Sequence, residues 1–180
     1  MNPKYEEASL LYKRAHSFLE QGDSENALKH YRAALELLKD IGDRNARARV
    51  LNNMGHIHVQ RCEWDDALKC FKEAKSIFEA TNDKLGMADQ LQNIGSVHRD
   101  KGEYDASLGH YHDSLSLYEE LSETCSIANQ VTNIGYIYAM KNEPLLAIEW
   151  FEKAVPLYEK VNEAKRAYLT RKNIEKLRCR

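Results

Sequence analysis

The 180-residue sequence has few residues that interrupt helices, with 8 glycines and 3 prolines set among abundant Ala, Leu, Glu and Lys. That scarcity of breakers points to helices. It also lacks an excess of charge of one sign: 26 Lys plus Arg stand against 28 Asp plus Glu, a formal net charge of −2. There is no basic field for holding nucleic acid, which is set aside as a partner. No run approaches the ~20 uninterrupted apolar residues of a membrane span. The opening MNPKYEEASL places charges where a signal peptide needs an apolar core. No membrane association is expected, and a cytoplasmic location is. Cys62, Cys70, Cys125 and Cys179 are widely spaced and form no C-x-x-C pair, so neither a zinc site nor a disulfide framework is signalled, and reduced thiols are expected. H-E-x-x-H, a glycine-rich phosphate loop and a nucleophile elbow are all missing. His56 with His58, and His110 with His112, lie two apart on a helix and point in different directions, without chelating geometry. The expectation is a protein with no cofactor, no metal and no catalytic chemistry.

What the sequence does contain is a repeat. Shifting the chain by 40 residues aligns LNNMGHIH from Leu51 with LQNIGSVH from Leu91 and VTNIGYIY from Val131. Each block is followed at a fixed distance by a second, WDDALKCFKEA from Trp64, YDASLGHYHDS from Tyr104 and PLLAIEWFEKA from Pro144. The first forty residues fit the frame more loosely through Leu11, Ala15, Phe18, Gly22, Ala27, Tyr31 and Ala34, and RAYLTRKNIEKLRCR supplies the first helix of a further unit. The spacing predicts a single array over 1–180, with repeats at about 4–41, 44–81, 84–121 and 124–161 and a capping helix at about 163–178.

Leu51, Met54, Gly55 and His58 fall at i, i+3, i+4 and i+7, one helical stripe, and Ala67, Phe71 and Ala74 form another. Small residues (Gly55 with Ala67, Gly95 with Ser107, Gly135 with Ala147) let paired helices approach while Phe71, Tyr111 and Phe151 fill the space beside them. His58 and His98 take the slot of Phe18 and Tyr138 and are expected in the core. Asp43, Asp83 and Ser122 are expected to cap the helices that follow them, Pro144 suits a helix start, and Pro156 should kink its helix.

This pattern of large, small and aromatic in the first helix, and alanine, aromatic, alanine in the second, resembles the tetratricopeptide repeat over nearly the whole chain. The 40-residue period, N-[MI]-G-x-[IV]-[HY] and connectors such as IGDRNARA and TNDKLGMA are similar to Leu-Gly-Asn repeat adaptors and, more distantly, to kinesin light chains and bacterial peptide-sensing regulators. The resemblance implies an all-α fold, a right-handed superhelical solenoid of antiparallel helix pairs, with first helices lining a concave wall that holds extended or helical peptides. The carboxylate clamp of the chaperone-binding subfamily is not matched. Its positions hold Tyr12, His16, Asn53, Asp89 and Asn93, of which Asn53 alone agrees.

Residues not needed for the two buried faces of each unit must line the open side. Asn53, Asn93, Asn133 and Asn173 recur there once per period. Asparagine is an indifferent helix former, so four in register suggest a task for the carboxamide, either gripping a peptide backbone or tying neighbouring helices together. One turn either way adds Lys13, His16, Arg49, Asn52, His56, Gln60, Asp89, Gln92, Ser96, Arg99, Asp100, Asn129, Thr132, Tyr136, Lys172 and Lys176. The face is mildly basic, compatible with an acidic partner segment. The reading is a non-catalytic scaffold or adaptor that binds a peptide or helical segment of a partner protein. The alternatives are a self-associating assembly module and a regulatory domain of a larger signalling protein. A monomer or weak homodimer is expected, because Lys172, Lys176, Arg178 and Arg180 solvate the outer side of the closing helix.

Overall fold

The computed structural model describes residues 3–179, and Arg180 lies outside them. Among the described residues there are nine helices and no strand. The chain divides after Asp83 into two compact units. The first holds α1 (Pro3–Glu20), α2 (Ser24–Ile41), α3 (Arg44–Gln60) and α4 (Trp64–Ala80). The second holds α5 (Lys84–Asp100), α6 (Tyr104–Glu120), α7 (Thr124–Met140), α8 (Pro144–Lys160) and α9 (Ala164–Arg178).

The turns repeat twice as often as the helix pairs. Gly22, Gly42, Cys62, Asn82, Gly102, Ser122, Asn142 and Asn162 stand twenty residues apart, and all adopt a positive φ between 54° and 80°. Each is followed by an acidic residue whose N–H reaches back to a carbonyl in the last turn of the preceding helix, as in Asp23 to Phe18 (2.8 Å), Glu63 to His58 (2.9 Å) and Glu163 to Tyr158 (2.9 Å). This is the Schellman closure, in which one left-handed residue satisfies carbonyls that a helix end leaves orphaned. The acidic residue then opens the next helix. The side chains of Asp23 and Asp43 accept from the N–H groups of Asn26 (3.0 Å) and Ala46 (2.9 Å). Glu63, Glu103, Glu123, Glu143 and Glu163 make no such side-chain bond, so their contribution is a negative charge at the positive end of the helix dipole. Ser122 is not the cap expected of it. It takes the left-handed position itself, with φ of 59°, and Glu123 opens α7. α8 begins with Pro144 and continues through Pro156 to Lys160.

The small-against-large pattern is how the pairs close. A Cβ added at Gly55 would lie 2.5 Å from the Phe71 ring, at Gly95 2.9 Å from Tyr111, and at Gly135 2.8 Å from Phe151. Helix axes this near need a residue without a side chain, and each ring buried there contributes about 2–3 kcal/mol. Ala15 stands at this register in the first repeat, opposite Tyr31, and both are fully buried. In the third repeat Ser107 and Ser114 replace the usual alanines, and their hydroxyls donate to the carbonyls of Gly95 and Ala88, both at 2.8 Å. His58 is buried, whereas His98 is half-buried. The four cysteines are free, and burial pushes the Cys70 thiol up to about 11. α9 closes on α8 through Ile174, which packs with Ala147 and Phe151. The exposed Glu175 occupies the glycine register of α9.

Candidate functional site

In the first unit the candidate face is carried by α1 and α3. Lys13 and His16 are exposed on α1, where His16 sits 3.5 Å from Glu20. On α3, Arg49, His56 and Gln60 are exposed and Asn52 and Asn53 half-buried, and the His56 ring stands edge-on to Phe71. Asn53 is spent internally. Its Nδ2 donates to the Tyr12 hydroxyl at 3.0 Å and to the Tyr31 hydroxyl at 3.3 Å.

In the second unit the face is carried by α5, α7 and α9. Asp89 accepts from the Tyr118 hydroxyl at 2.5 Å, and Arg99 pairs with Asp100 at 2.8 Å. Gln92 accepts from the Nε2 of the fully buried Gln130, a bond that links α5 to α7. Asn93 is half-buried on α5, and Lys172 and Lys176 are exposed on α9. Asn173 donates to the Tyr136 hydroxyl at 2.9 Å, and the Tyr136 ring stands edge-on to Phe151.

Asn133 differs from its counterparts. Among the described residues its carboxamide has no hydrogen-bond partner. The reason lies one repeat earlier. At the registers where Asn53 and Asn173 find Tyr12 and Tyr136, the positions before Asn133 hold Gln92 and Ser96. The Gln92 amide oxygen is taken by Gln130, and the Ser96 hydroxyl is bonded to that of Tyr111 at 3.0 Å. The Asn133 amide is therefore left facing an open recess of about 350 Å³ lined by Gln92, Asn129, Thr132, Asn133, Tyr136, Tyr158, Arg166, Leu169 and Thr170. Its wall is fixed by hydrogen bonds. The Tyr158 hydroxyl donates to Asn129 Oδ1 (3.0 Å) and accepts from Thr132 (3.1 Å), while Arg166 donates to the same Asn129 oxygen (2.8 Å). Thr132 is itself buried. Such a surface offers amide donors and acceptors beside one cation and one apolar side chain, a set suited to polypeptide.

Five of the predicted residues thus meet in one recess: Gln92, Asn129, Thr132, Asn133 and Tyr136. Arg49 lines a second recess, between α1 and α3, and Lys13 a shallow hollow on α1. Arg166, Leu169 and Thr170 were not among the expected residues, yet they stand seven, four and three residues before Asn173, on the same helical stripe. Leu169 and Thr170 lie within one turn of Asn173, at and beside the register of Arg49, Asp89 and Asn129, and extending the window to two turns adds Arg166.

One potential metal group occurs among the described residues, with ligand atoms of His58, Glu63 and Asp66 within 4.8 Å of one another. It acts as a turn lock. His58 Nδ1 donates to Glu63 at 2.6 Å and Arg61 to the other oxygen at 2.7 Å, and the His58 bond above all holds the Glu63 carboxyl below its ordinary range. The same pair recurs as His98 and Glu103, where Ala106 stands at the register of Asp66.

Residues 6–80 and 87–160 match the tetratricopeptide repeat family. Against curated protein sequences no match emerges. Among solved structures the chain is similar to aspartyl phosphate phosphatase F of Bacillus subtilis, with 17% identity and a TM-score of 0.86 over 95% of this chain and 45% of that one. It is similar also to a signal-transduction ATPase with a tetratricopeptide repeat sensor from Pyrococcus horikoshii (16%, 0.86, 95% and 27%). A third is a kinesin light chain with nearly identical repeats from Podospora anserina (10%, 0.78, 98% and 86%). The chain spans under half the length of the first two, and at these identities the likeness is one of fold. Among the described residues no helix is long and apolar enough to cross a membrane.

Proposed function

Because the chain belongs to the tetratricopeptide repeat family, we propose that it is a non-catalytic protein-interaction module, cytoplasmic in setting, whose α7–α9 face grips a segment of a partner protein. Repeats of this family generally mediate protein–protein interaction. The observation that carries the finer reading is the Asn133 carboxamide, unpartnered at the mouth of the α7–α9 recess while Asn53 and Asn173 at the same register are bonded to tyrosine hydroxyls. A primary amide that can donate and accept at once matches the N–H and C=O of a passing main chain. Arg166 is the charged side chain lining the recess and favours an acidic residue nearby.

The asparagine series therefore divides by role: Asn53 and Asn173 hold helices together, and Asn133 binds. The test is affinity capture from native cytosol with the wild-type chain beside Asn133→Ala and Asn53→Ala, each checked for helicity by circular dichroism. A partner held by wild type and by Asn53→Ala, and released by Asn133→Ala, supports the reading. Retention by all three chains sinks it.

A further inference from the structure

From the recess between α1 and α3 we infer a second binding site, a socket for one aliphatic side chain of a partner segment that carries a carboxylate beside it. The inference goes beyond the α7–α9 reading and does not depend on it.

Ala8, Leu38, Ala46 and Val50 make the floor, each at most 9% exposed, and together they offer only hydrocarbon. The Tyr12 ring forms a wall. It is held by the Asn53 amide on its hydroxyl at 3.0 Å and by edge contact with Tyr31 at 5.5 Å, so the wall is rigid before anything binds. The recess measures about 120 Å³. A dry apolar cavity of ~150 Å³ takes benzene, so this one has room for a leucine-, isoleucine- or methionine-sized group.

The rim supplies the second half of the specificity. Arg49 is exposed at the mouth and, among the described residues, makes no ion pair and no hydrogen bond. Arg14, Arg32 and Arg44 of this unit are likewise without an ion pair among the described residues but do not line the recess, whereas Arg47 is held by Glu73 and Arg61 by Glu63. A guanidinium left unpaired above an apolar floor favours a ligand with a carboxylate next to the buried side chain, and disfavours one with an amine there.

The probes are two acetylated tripeptide amides, Glu-Leu-Glu and Lys-Leu-Lys, titrated into the full chain to about 10 mM and followed by the methyl resonances of Ala8, Ala46 and Val50, since one buried leucine gives weak, millimolar-range binding. The Glu peptide is expected to shift these methyls with saturation and the Lys peptide to leave them in place. Arg49→Gln, a surface change without risk to the fold, is expected to weaken the Glu peptide about three- to fivefold, as a rim charge pair does. Ala46→Leu fills the socket and is expected to abolish the shifts. Should that chain lose helicity, Arg49→Gln decides alone. No shift with the Glu peptide, equal shifts with both peptides, or unchanged affinity in Arg49→Gln overturns the assignment. The methyls read are those of the α1–α3 recess, which no residue of α7 or α9 lines, so this outcome is separate from failure of the α7–α9 reading.

Discussion

The α1–α3 and α7–α9 recesses occupy one register, three 40-residue periods apart, and their chemistry is inverted. Leu38, Ala46 and Val50 at the base of the first become Tyr158, Arg166 and Thr170 in the second, while Arg49 at its rim becomes Leu169. One has an apolar floor under a cation, and the other a polar, hydrogen-bonded wall under a leucine. The helix frame at the two places is alike, because the residues that set it, the small-against-large pairs and the left-handed turns, are kept apart from the residues that line the opening. A repeat fold can therefore change what it recognises without changing how it stands.

The comparison makes its largest claim about stability. Leu38 is 4% exposed and belongs to the first unit's core, so Leu38→Ala should cost about 2–5 kcal/mol in urea unfolding. Tyr158→Phe keeps the ring and deletes a hydroxyl bonded to Asn129 and Thr132, for which about 1 kcal/mol is expected. Equal losses would show that hydrogen bonds hold the second recess as firmly as burial holds the first.

The asparagines provide a sharper contrast at smaller energy. Asn53→Ala removes the amide from two tyrosine hydroxyls, one of them on the fully buried Tyr31, and should destabilise by about 1 kcal/mol. Asn133→Ala removes an amide with no partner among the described residues and should stay within about 0.5 kcal/mol. Comparable midpoint shifts would mean that Asn133 is also part of the scaffold.

The helix pairs were legible because their signal is written in residue types that serve one purpose. Glycine opposite phenylalanine or tyrosine has no other use at that spacing, and it recurs every 40 residues. The turns are legible as short polar breaks, QGDS, RCE, KGE and KNE within repeats and GDR, NDK, SET and VNE between them, but their common geometry is not, since the left-handed position is filled by Gly, Cys, Asn or Ser, which share a backbone conformation and no side-chain chemistry. The acid following it is the steadier mark. For the same reason Ser122 was misread as a cap: its hydroxyl suggested a role that its backbone angle excludes. The asparagine ladder was visible as a pattern but not as a division of labour. What separates Asn133 from Asn53 and Asn173 is the residue found one repeat away, Gln92 and Ser96 where the others have tyrosine.

The turns themselves offer a smaller test. A residue bearing a Cβ costs about 1–2 kcal/mol in the left-handed region, and glycine gives back part of that through its own chain entropy. Ser122→Gly should therefore raise stability by about 0.5–1 kcal/mol by thermal unfolding. Asn162→Gly should gain less, since asparagine tolerates the conformation. A loss in Ser122→Gly would show that the serine side chain contributes something the turn geometry does not require.

The smallest expected effect returns to the two units through their matched His–Glu turns. Glu63 is held below the ordinary carboxyl value of 4.5 first by His58 and then by Arg61, and Glu103 first by His98 and then by Lys101. A lowered folded-state value means that the unfolded chain binds the proton more readily, so the stabilisation is fully present above about pH 4.5 and is lost as pH falls through the folded value. Urea midpoints taken from about pH 6 to pH 3 should then fall less steeply in Glu63→Gln and in Glu103→Gln than in wild type. The His58 side chain is 5% exposed against 14% for His98, so solvent screens the second pair more and the Glu63 variant should flatten the profile further. If Glu103→Gln flattens it more, burial of the histidine is not what sets the strength of the pair, and the cation at 61 or 101 becomes the group to vary next.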